Sequence, residues 1–537
     1  MSEKPSTPSS EQSDKSKKYD RQLRLWGDHG QAALEGCHVC LINASATGTE
    51  TLKSLVLPGI GAFTILDNSR VAYQDLGNNF FVERDSIGKS RAEVACQNLC
   101  ELNPDVRGYF DEHPIEEVLS NQPEYFKTFT VVIATNISES SLLNLSKILW
   151  DLKVPLVVTK SYGMIGYIRV QVEEHTIIES HPDNIIPDLR LDQPFPALSY
   201  YAESFDFSTM TDREHSHVPY VIILLHFLKK WKEEHNNEIP KTFQEKKQLK
   251  RLIESGMRSK ASSEPEENFE EAVKAVNLSI SPTFISEDVK AILKEAKALT
   301  PCPSTKSFWL MAKALQEFVD SEGQGNLPVS GVIPDMTSDS DSFIKLQNIY
   351  REQATSDSDW VYRRLQEFCS QLGPRKTFIS ENDVKSFCKN SQHLRVLRGK
   401  SIDQEYHGSI PLGDLGTHLE NPESDIVWYV MLRAVDQFHS EFRAYPGYFK
   451  DQVETDIVRL KVCVNRLLSD WGFSPCIKDD YIHEICRYGA AEVHSIAAYV
   501  GGCAAQEVIK IVTSQYIPIN NTYIYNAISG TSTTLSL

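Results

Sequence analysis

The stretch CLINASATGTE, residues 40–50, completes the apolar segment HVCLI and leads into TLKSLVLPG. An apolar run followed by leucines at helical spacing predicts a strand that turns into a helix. In nucleotide-binding folds this turn carries the pattern G-x-G-x-x-G, because glycines let backbone N–H groups approach a phosphate. Here only Gly48 remains. The turn therefore has the position of a nucleotide-binding loop without its usual residues.

The residues around this turn predict a parallel sheet. Val39 to Asp67 reads as a complete strand–helix–strand unit, and further apolar strands are predicted at residues 129–135 and 154–160. Strands this apolar are buried on both faces, which is typical of a parallel sheet covered by helices. Residues 19–172 are therefore expected to form a doubly wound, mostly parallel α/β domain.

Beyond residue 173 the pattern changes to helical stripes separated by Pro-, Ser- and acid-rich breaks, which predicts a large all-helical insertion over residues 173–483. The last stretch, residues 484–537, combines a helix of small residues with a β-rich tail. We expect it to return to the α/β domain, because its strands need a sheet to join. Gly501, Gly502, Ala504 and Ala505 would let this helix approach another backbone closely.

The composition is that of a globular protein, with 41% hydrophobic and 24% charged residues in a chain of 537. No apolar run approaches the ~18 residues of a membrane span, and residues 1–18 lack the apolar segment of a secretory signal. We expect no transmembrane segment, a disordered tail over residues 1–18, and a cytoplasmic or nuclear location. The 55 basic and 73 acidic residues leave a net charge of −18, which repels nucleic acid and favours protein partners.

Four segments carry a resemblance to one enzyme family: KYDRQLRLWGDHGQAAL (18–34), DLGNNFF (75–81), IGKSRAEVA (87–95) and AAYVGGCAAQEVIK (497–510). They resemble the adenylating domain of the ubiquitin and ubiquitin-like modifier activating enzymes. The resemblance covers residues 19 to about 170 and again about 484 to 529. It implies an adenylating α/β fold that in active members binds ATP.

The ATP-contacting positions of that family carry other residues here. The glycine-rich loop is replaced by NASATG, the ribose acid by serine, an Asn-Arg pair by Gly-Asn, the phosphate lysine by arginine and the magnesium aspartate by asparagine. Adenylation depends on electrostatic stabilisation of phosphate, and each change removes charge or alters a donor. The resemblance thus implies a pseudo-active site that binds no cofactor. The positions are Asn43, Ser45, Thr47, Gly48, Ser69, Asn78, Arg91 and Asn136.

The thioester cysteine of active family members also has no counterpart in its expected setting. A nucleophilic thiolate needs an electropositive, accessible environment, and the family places a threonine after its cysteine. The nearest match is TPCPST, in which Cys302 precedes Pro303. We therefore interpret Cys302 as an inert loop or helix-start residue.

One motif of the family is intact, and it acts on a neighbouring subunit. Two adenylating domains pair in this family, and the arginine of the opening segment of one reaches the nucleotide site of the other. Arg21 matches that position. The resemblance implies that its guanidinium stabilises negative charge on ATP in the partner. The alternative is an ordinary surface salt bridge on an amphipathic segment.

The Gly- and Pro-rich stretch GQGNLPVSGVIPDM, residues 323–336, carries apolar side chains with neither helical nor alternating period. Such side chains in a loop often cover the surface of a partner. The alternative is a loop that packs on its own domain. The candidate partner-binding residues are Leu327, Val329, Val332 and Ile333.

These motifs together imply the regulatory half of an obligate heterodimeric activating enzyme. Its catalytic partner would hold ATP and magnesium, adenylate a ubiquitin-like modifier, carry it as a thioester and pass it to a conjugating enzyme. The long insertion resembles the neddylation type, whose conjugating enzyme acts on cullins, and the SUMO type, with a short insertion, is the alternative. Two other classes stay open: a pure scaffold without an active-site role, and a Rossmann dehydrogenase, for which Asp67 qualifies but NASATG does not.

Overall fold

The computed structural model describes residues 17–258, 266–373, 378–407, 416, 418–419, 421, 424–474 and 476–537. Residues 1–16 of the predicted disordered tail lie outside this range. The chain forms two compact units. The first, here the α/β unit, comprises the residues up to His175 together with Val396–Leu537, and the second, the helical unit, comprises Thr176–Arg395.

The first part of the α/β unit alternates strands and helices as the apolar pattern predicts. Its central strands are short and mostly apolar, and two of them, AFTIL and VVIAT, are buried at every position. The elements are α1 Asp20–Gly36, β1 His38–Ile42, α2 Ala46–Val56, β2 Ala62–Leu66, α3 Arg91–Cys100, β3 Arg107–Asp111, α4 Ile115–Asn121, β4 Val131–Thr135, α5 Glu139–Leu152, β5 Leu156–Tyr162 and β6 Ile165–Gln171.

The helical unit is built around one apolar helix, YVIILLHFLKKWKEE, whose first six residues are all buried. Amphipathic helices, each with a single apolar stripe, pack around this helix, and Pro- and Ser-rich breaks separate them. The elements are β7 Glu174–Ile177, α6 Pro196–Glu203, α7 Asp212–His215, α8 Tyr220–Glu234, α9 Phe243–Glu254, α10 Glu267–Ser279, α11 Glu287–Ala298, α12 Ser307–Asp320, α13 Ser340–Leu372 and α14 Glu381–Lys389.

The last part of the chain completes the α/β unit. Its elements are β8 Arg395–Arg398, α15 Ile402–His407, α16 Ile426–Phe442, α17 Val453–Asp470, α18 Asp479–Tyr488, α19 His494–Thr513, β9 Thr522–Asn526 and β10 Thr531–Leu535. The eight-stranded sheet has the order β10-β9-β6-β5-β4-β1-β2-β3. Strands β5, β4, β1, β2 and β3 are parallel, whereas β6, β9 and β10 run antiparallel to their neighbours. The predicted fold class is confirmed, and β9, in the last stretch of the chain, pairs with β6 in this sheet.

The predicted end of the helical insertion, at residue 483, differs from the division that the structure shows. The sequence pattern placed all residues of 173–483 in one insertion, whereas the helices from α15 to α18 lie in the α/β unit. Their apolar faces share one core with a face of the sheet, for example Trp428 and Leu460 with Val132 and Val158. A helical stripe shows that a helix is half-buried, but it does not show which core receives that face.

Helix α19 brings the C-terminal part of the chain against the nucleotide turn. It packs closely on α2, where a Cβ atom on Gly501 would lie 2.8 Å from Glu50 Cβ and 2.9 Å from Thr51 N. The close approach predicted from the small residues is therefore present at Gly501. Within the described residues α19 alone has the length and apolarity of a membrane span, and 61% of its apolar window is buried inside the protein, as in a core helix.

Candidate functional site: a nucleotide turn that holds a carboxylate

The turn between β1 and α2 has the position of a nucleotide loop and carries side chains in place of glycines. Asn43 leaves the strand with a left-handed backbone (φ 66°), and Ser45 caps α2 by accepting a hydrogen bond from Gly48 N at 3.2 Å. A Cβ atom on Gly48 would lie 2.8 Å from the Asn43 carbonyl oxygen and 3.0 Å from Leu41 Cδ1. Gly48 is therefore required for packing α2 onto its strand, independently of any ligand.

The first residues of α2 face a carboxylate from the far end of the chain. The Ala46 backbone N–H donates to Glu492 Oε2 at 3.0 Å, and the hydroxyls of Thr47 and Ser45 lie 2.7 and 3.2 Å from Glu492 Oε1. A helix N-terminus carries partial positive charge and unpaired N–H groups, and nucleotide folds place a phosphate there. In this chain the anion at that position is the side chain of Glu492.

The backbone around Glu492 is fixed by the same edge of the sheet. Gly163, in the turn between β5 and β6, donates its N–H to the Ala491 carbonyl at 2.7 Å. The Asn78 amide donates to the Glu492 carbonyl at 3.0 Å. Asn78 replaces the arginine of the family's Asn-Arg pair, and here it positions the segment that carries the carboxylate. The site therefore contains its own acceptor, held on both sides.

The arginine at the position of the phosphate lysine is already paired. Arg91 Nε donates to Asp67 Oδ2 at 2.7 Å, and Arg91 Nη1 lies 3.3 Å from Asp75 Oδ1. Asp67 also accepts the N–H groups of Ala44 and Ser69, each at 2.9 Å. Burial opposes the charge of Asp67, but Arg91 and these N–H donors outweigh it, so the pKa of Asp67 lies below its ordinary value. Arg91 thus serves an internal ion pair.

The end of β4 supplies neutral groups. Asn43 Nδ2 donates to the carbonyls of Thr135 and Asn136 at 2.7 and 3.2 Å, and Asn136 has a left-handed backbone (φ 46°). An amide at position 136 offers no negative charge to a metal ion. The structure thus brings the predicted loop residues together with Asn78, Asn136, Ser69 and Arg91 at the carboxyl edge of the sheet. Glu492 is the member of this site that sequence reasoning missed.

Arg21 lies near the start of α1, on the surface. Within the described residues it forms no ion pair, whereas Arg24, one turn later, pairs with Asp20 at 3.0 Å. The segment is anchored by the buried Tyr19, whose hydroxyl accepts from Asn103 Nδ2 at 3.1 Å. The described residues therefore give no support to the alternative of a surface salt bridge for Arg21.

The loop of residues 323–336 packs largely on its own unit. Leu327, Val329 and Ile333 are buried, and only Val332 among the four candidates is exposed, at 53%. The burial of the first three corrects their assignment as partner-binding side chains, because a partner cannot reach them without unfolding the loop.

Cys302 lies before α12 and is exposed. Hydrogen bonds from Ser304 and Thr305, whose hydroxyls lie 3.1 and 3.3 Å from the sulfur, lower its pKa to about 7. Its thiol is therefore more acidic than the interpretation of an inert residue assumes.

The ThiF family model matches residues 19–537. The chain belongs to the ThiF family. It is 50% identical over 526 residues to the NEDD8-activating enzyme E1 regulatory subunit of Xenopus laevis, with 97% of this chain and 99% of the relative covered. The Drosophila melanogaster protein of that name is 46% identical, with 99% of both chains covered. The Saccharomyces cerevisiae protein of that name is 27% identical, with 97% of this chain and all of the relative covered.

These relatives extend over the α/β unit and the helical unit alike. The expected resemblance to a regulatory half of the neddylation type is confirmed for this ThiF family member, and the SUMO type is not favoured. The name shared by the relatives refers to a regulatory subunit, which implies a separate catalytic one.

Proposed function

We propose that this ThiF family chain is the non-catalytic subunit of a heterodimer that activates NEDD8 with ATP, and that it completes its partner's active site without adenylating NEDD8 itself. The proposal that this chain is non-catalytic rests on the Glu492 carboxylate at the N-terminus of α2. That is where the fold would otherwise receive a nucleotide phosphate.

The residues of the turn do not fit ATP. A phosphate beside α2 would either displace Glu492 or lie next to it, and two unit charges of like sign about 4 Å apart repel by about 1–4 kcal/mol in surroundings of high to intermediate dielectric constant. Arg91, the cation at the position of the family's phosphate lysine, is held by Asp67 and Asp75. Asn136 offers no carboxylate for magnesium. We therefore assign ATP and magnesium to the catalytic partner and no cofactor to this chain.

The contribution of this chain to the reaction would come from Arg21. In adenylation the C-terminal carboxylate of the modifier attacks the α-phosphate of ATP, and pyrophosphate leaves as negative charge accumulates on the phosphate oxygens. A guanidinium placed against those oxygens stabilises the charge by bidentate hydrogen bonds. The exposure of Arg21 and its lack of an ion pair among the described residues leave it available for this role. The anchoring of Tyr19 would reduce the entropy lost on docking.

The remaining partners follow from the same function. The adenylated modifier would pass to a thioester cysteine on the catalytic subunit and then to a conjugating enzyme, with this chain holding the assembly together. A pure scaffold is the second candidate. It differs in one respect, because it requires that Arg21 contribute nothing to the chemistry.

The test is ATP–pyrophosphate exchange with the catalytic subunit and NEDD8. The reaction is measured with the wild-type chain, with Arg21→Ala, with Arg24→Ala, and with the chain alone. Arg24 is the matched control, because it lies on the same exposed helix and carries the same charge. We expect Arg21→Ala to slow exchange by ~10²–10³-fold, as removal of one charge-stabilising donor does. Arg24→Ala should remain near wild type, and both variants should still co-elute with the partner.

Two results would contradict the proposal. Exchange catalysed by the chain alone would show that the turn with Glu492 still binds and uses ATP. An Arg21→Ala heterodimer with unchanged exchange at saturating substrates would support the pure scaffold instead.

A further inference from the structure

A groove in the helical unit combines an apolar edge with an unusual concentration of positive charge. It has a volume of about 460 Å³ and lies between the loop 329–333, the middle of α13 and the end of α14. It belongs to a different unit from the nucleotide turn and has no part in the function proposed above. The loop belongs to the stretch of residues 323–336 that the sequence singles out for apolar side chains with neither helical nor alternating period.

The charge of the groove is opposite to that of the chain. Its lining contains Arg351, Lys385 and Lys389 and no carboxylate, whereas the whole chain carries a net charge of −18. Lys385 pairs with Glu381, one turn earlier on α14. Arg351 and Lys389 are exposed and form no ion pair with any of the described residues. The groove therefore presents two uncompensated cations to solvent.

The apolar edge is held in place by the core of the unit. The Val329 N–H donates to the buried carboxylate Asp357 at 2.9 Å, and Val329 and Ile333 are buried on either side of the exposed Val332. Gly331 has φ +74°, and a Cβ atom there would lie 2.9 Å from Ala354 Cβ on α13. Val332 is thus displayed on a constrained loop, and docking onto it costs little ordering of the loop.

We propose that this groove docks a short acidic segment of a partner protein. Carboxylates of the segment pair with Arg351 and Lys389, and an apolar side chain between them packs on Val332 and Ala354. Arg351 suits this role because a guanidinium binds a carboxylate through two parallel hydrogen bonds. A nucleic acid is a poorer fit, since its backbone would be repelled by the rest of the acidic chain and would leave Val332 without an apolar contact.

The test uses fluorescence anisotropy with the full chain and a fluorescein-labelled peptide of sequence EELFEE. We expect saturable binding that weakens with added salt. Reversal of both cations, Arg351→Glu with Lys389→Glu, should weaken binding about tenfold or more, because attraction at two exposed positions becomes repulsion. Val332→Ser should weaken it about threefold. Lys294→Glu is the matched control, since Lys294 is an exposed lysine elsewhere in the unit, and it should leave the affinity within about twofold.

The peptide EESSEE tests the apolar contribution. It should bind the wild-type chain more weakly than EELFEE does, whereas Val332→Ser should bind the two peptides with similar affinity. The proposal is overturned if EELFEE gives no saturable signal, if the double reversal binds like Lys294→Glu, or if a single-stranded DNA of equal charge binds more tightly through the same two cations. Thermal melts of each variant ensure that only folded protein is compared.

Discussion

The contact between α19 and α2 makes a prediction of opposite sign at two neighbouring glycines. Both Gly501 and Gly502 lie inside α19, where replacement of glycine by alanine ordinarily stabilises a helix by about 0.5–1 kcal/mol. At Gly502 a Cβ atom would meet nothing within 4 Å. Gly502→Ala should therefore gain this amount in full.

At Gly501 the same methyl group has no room. It would lie 2.8 Å from Glu50 Cβ and 2.9 Å from Thr51 N. The first is the side-chain atom bonded to the backbone of α2 and the second is a backbone atom, so neither can move aside as the end of a flexible side chain can. Overpacking costs about 1–3 kcal/mol, and the rigid neighbour places this case at the upper end. After subtraction of the gain in helix propensity, Gly501→Ala should destabilise the α/β unit by about 2 kcal/mol.

Differential scanning calorimetry at a fixed scan rate measures both effects. For a large unit, about 2 °C in Tm corresponds to 1 kcal/mol, so we expect a fall of about 4 °C for Gly501→Ala and a rise of about 1–2 °C for Gly502→Ala. The two variants have the same amino-acid composition and differ only in which of two adjacent glycines is replaced. Shifts of the same sign and similar size would refute the close approach of α19 to the nucleotide turn.

The elements that the sequence predicted well are those whose signal is local. Strands β4 and β5 are buried on both faces where they begin, so each starts with a short apolar run, VVIA in β4 and LVV in β5. Gly48 marks the turn because a side chain at this position would clash with residues of the same turn and its strand. Asn43 and Asn136 lie together because the carboxyl ends of the parallel strands β1 and β4 share one edge of the sheet.

The elements that it did not predict depend on pairs of distant residues. Glu492 reaches Ala46 across 446 positions, and nothing in its neighbourhood GAAEVHS distinguishes it from a solvated glutamate. The pairing of Arg91 with Asp67 is similarly invisible, because either residue alone is compatible with a ligand site. Apolar character also could not separate Val332 from Val329, which differ only in the direction that the loop gives to each side chain.

The donors at the start of α2 and the charge of Arg91 find their partners within the chain. The first N–H groups of any helix need acceptors, and in a nucleotide fold the phosphate provides them. Where no phosphate is bound, these groups must find acceptors within the chain or stay unpaired at a cost in stability. Ser45 and Glu492 supply the acceptors here, and Asp67 gives Arg91 the counter-charge that a phosphate would have given. The turn is thus stable without a ligand because its charges are balanced internally.

Three further predictions concern single side chains. Glu492→Ala should destabilise the α/β unit by about 1–3 kcal/mol, since donors at α2 lose their acceptor, and an unchanged Tm would contradict the role given to this carboxylate. Asp67→Asn should cost about 3–5 kcal/mol near neutral pH by leaving the Arg91 charge without its main partner. The pKa of Asp67 is lower in the folded than in the unfolded chain. The difference in free energy of unfolding between wild type and Asp67→Asn should therefore narrow as pH falls through the folded pKa, and urea unfolding at several pH values measures it. Cys302 should react with iodoacetamide at half its maximal rate near pH 7, because hydroxyls of Ser304 and Thr305 hydrogen-bond its thiolate, as mass spectrometry of the alkylated peptide can follow. Cys476 is the internal control, since it is also exposed but partial burial raises its pKa. Equal pH profiles for the two cysteines, or a Cys302 profile unmoved by Ser304→Ala with Thr305→Val, would show that these hydroxyls do not stabilise the thiolate.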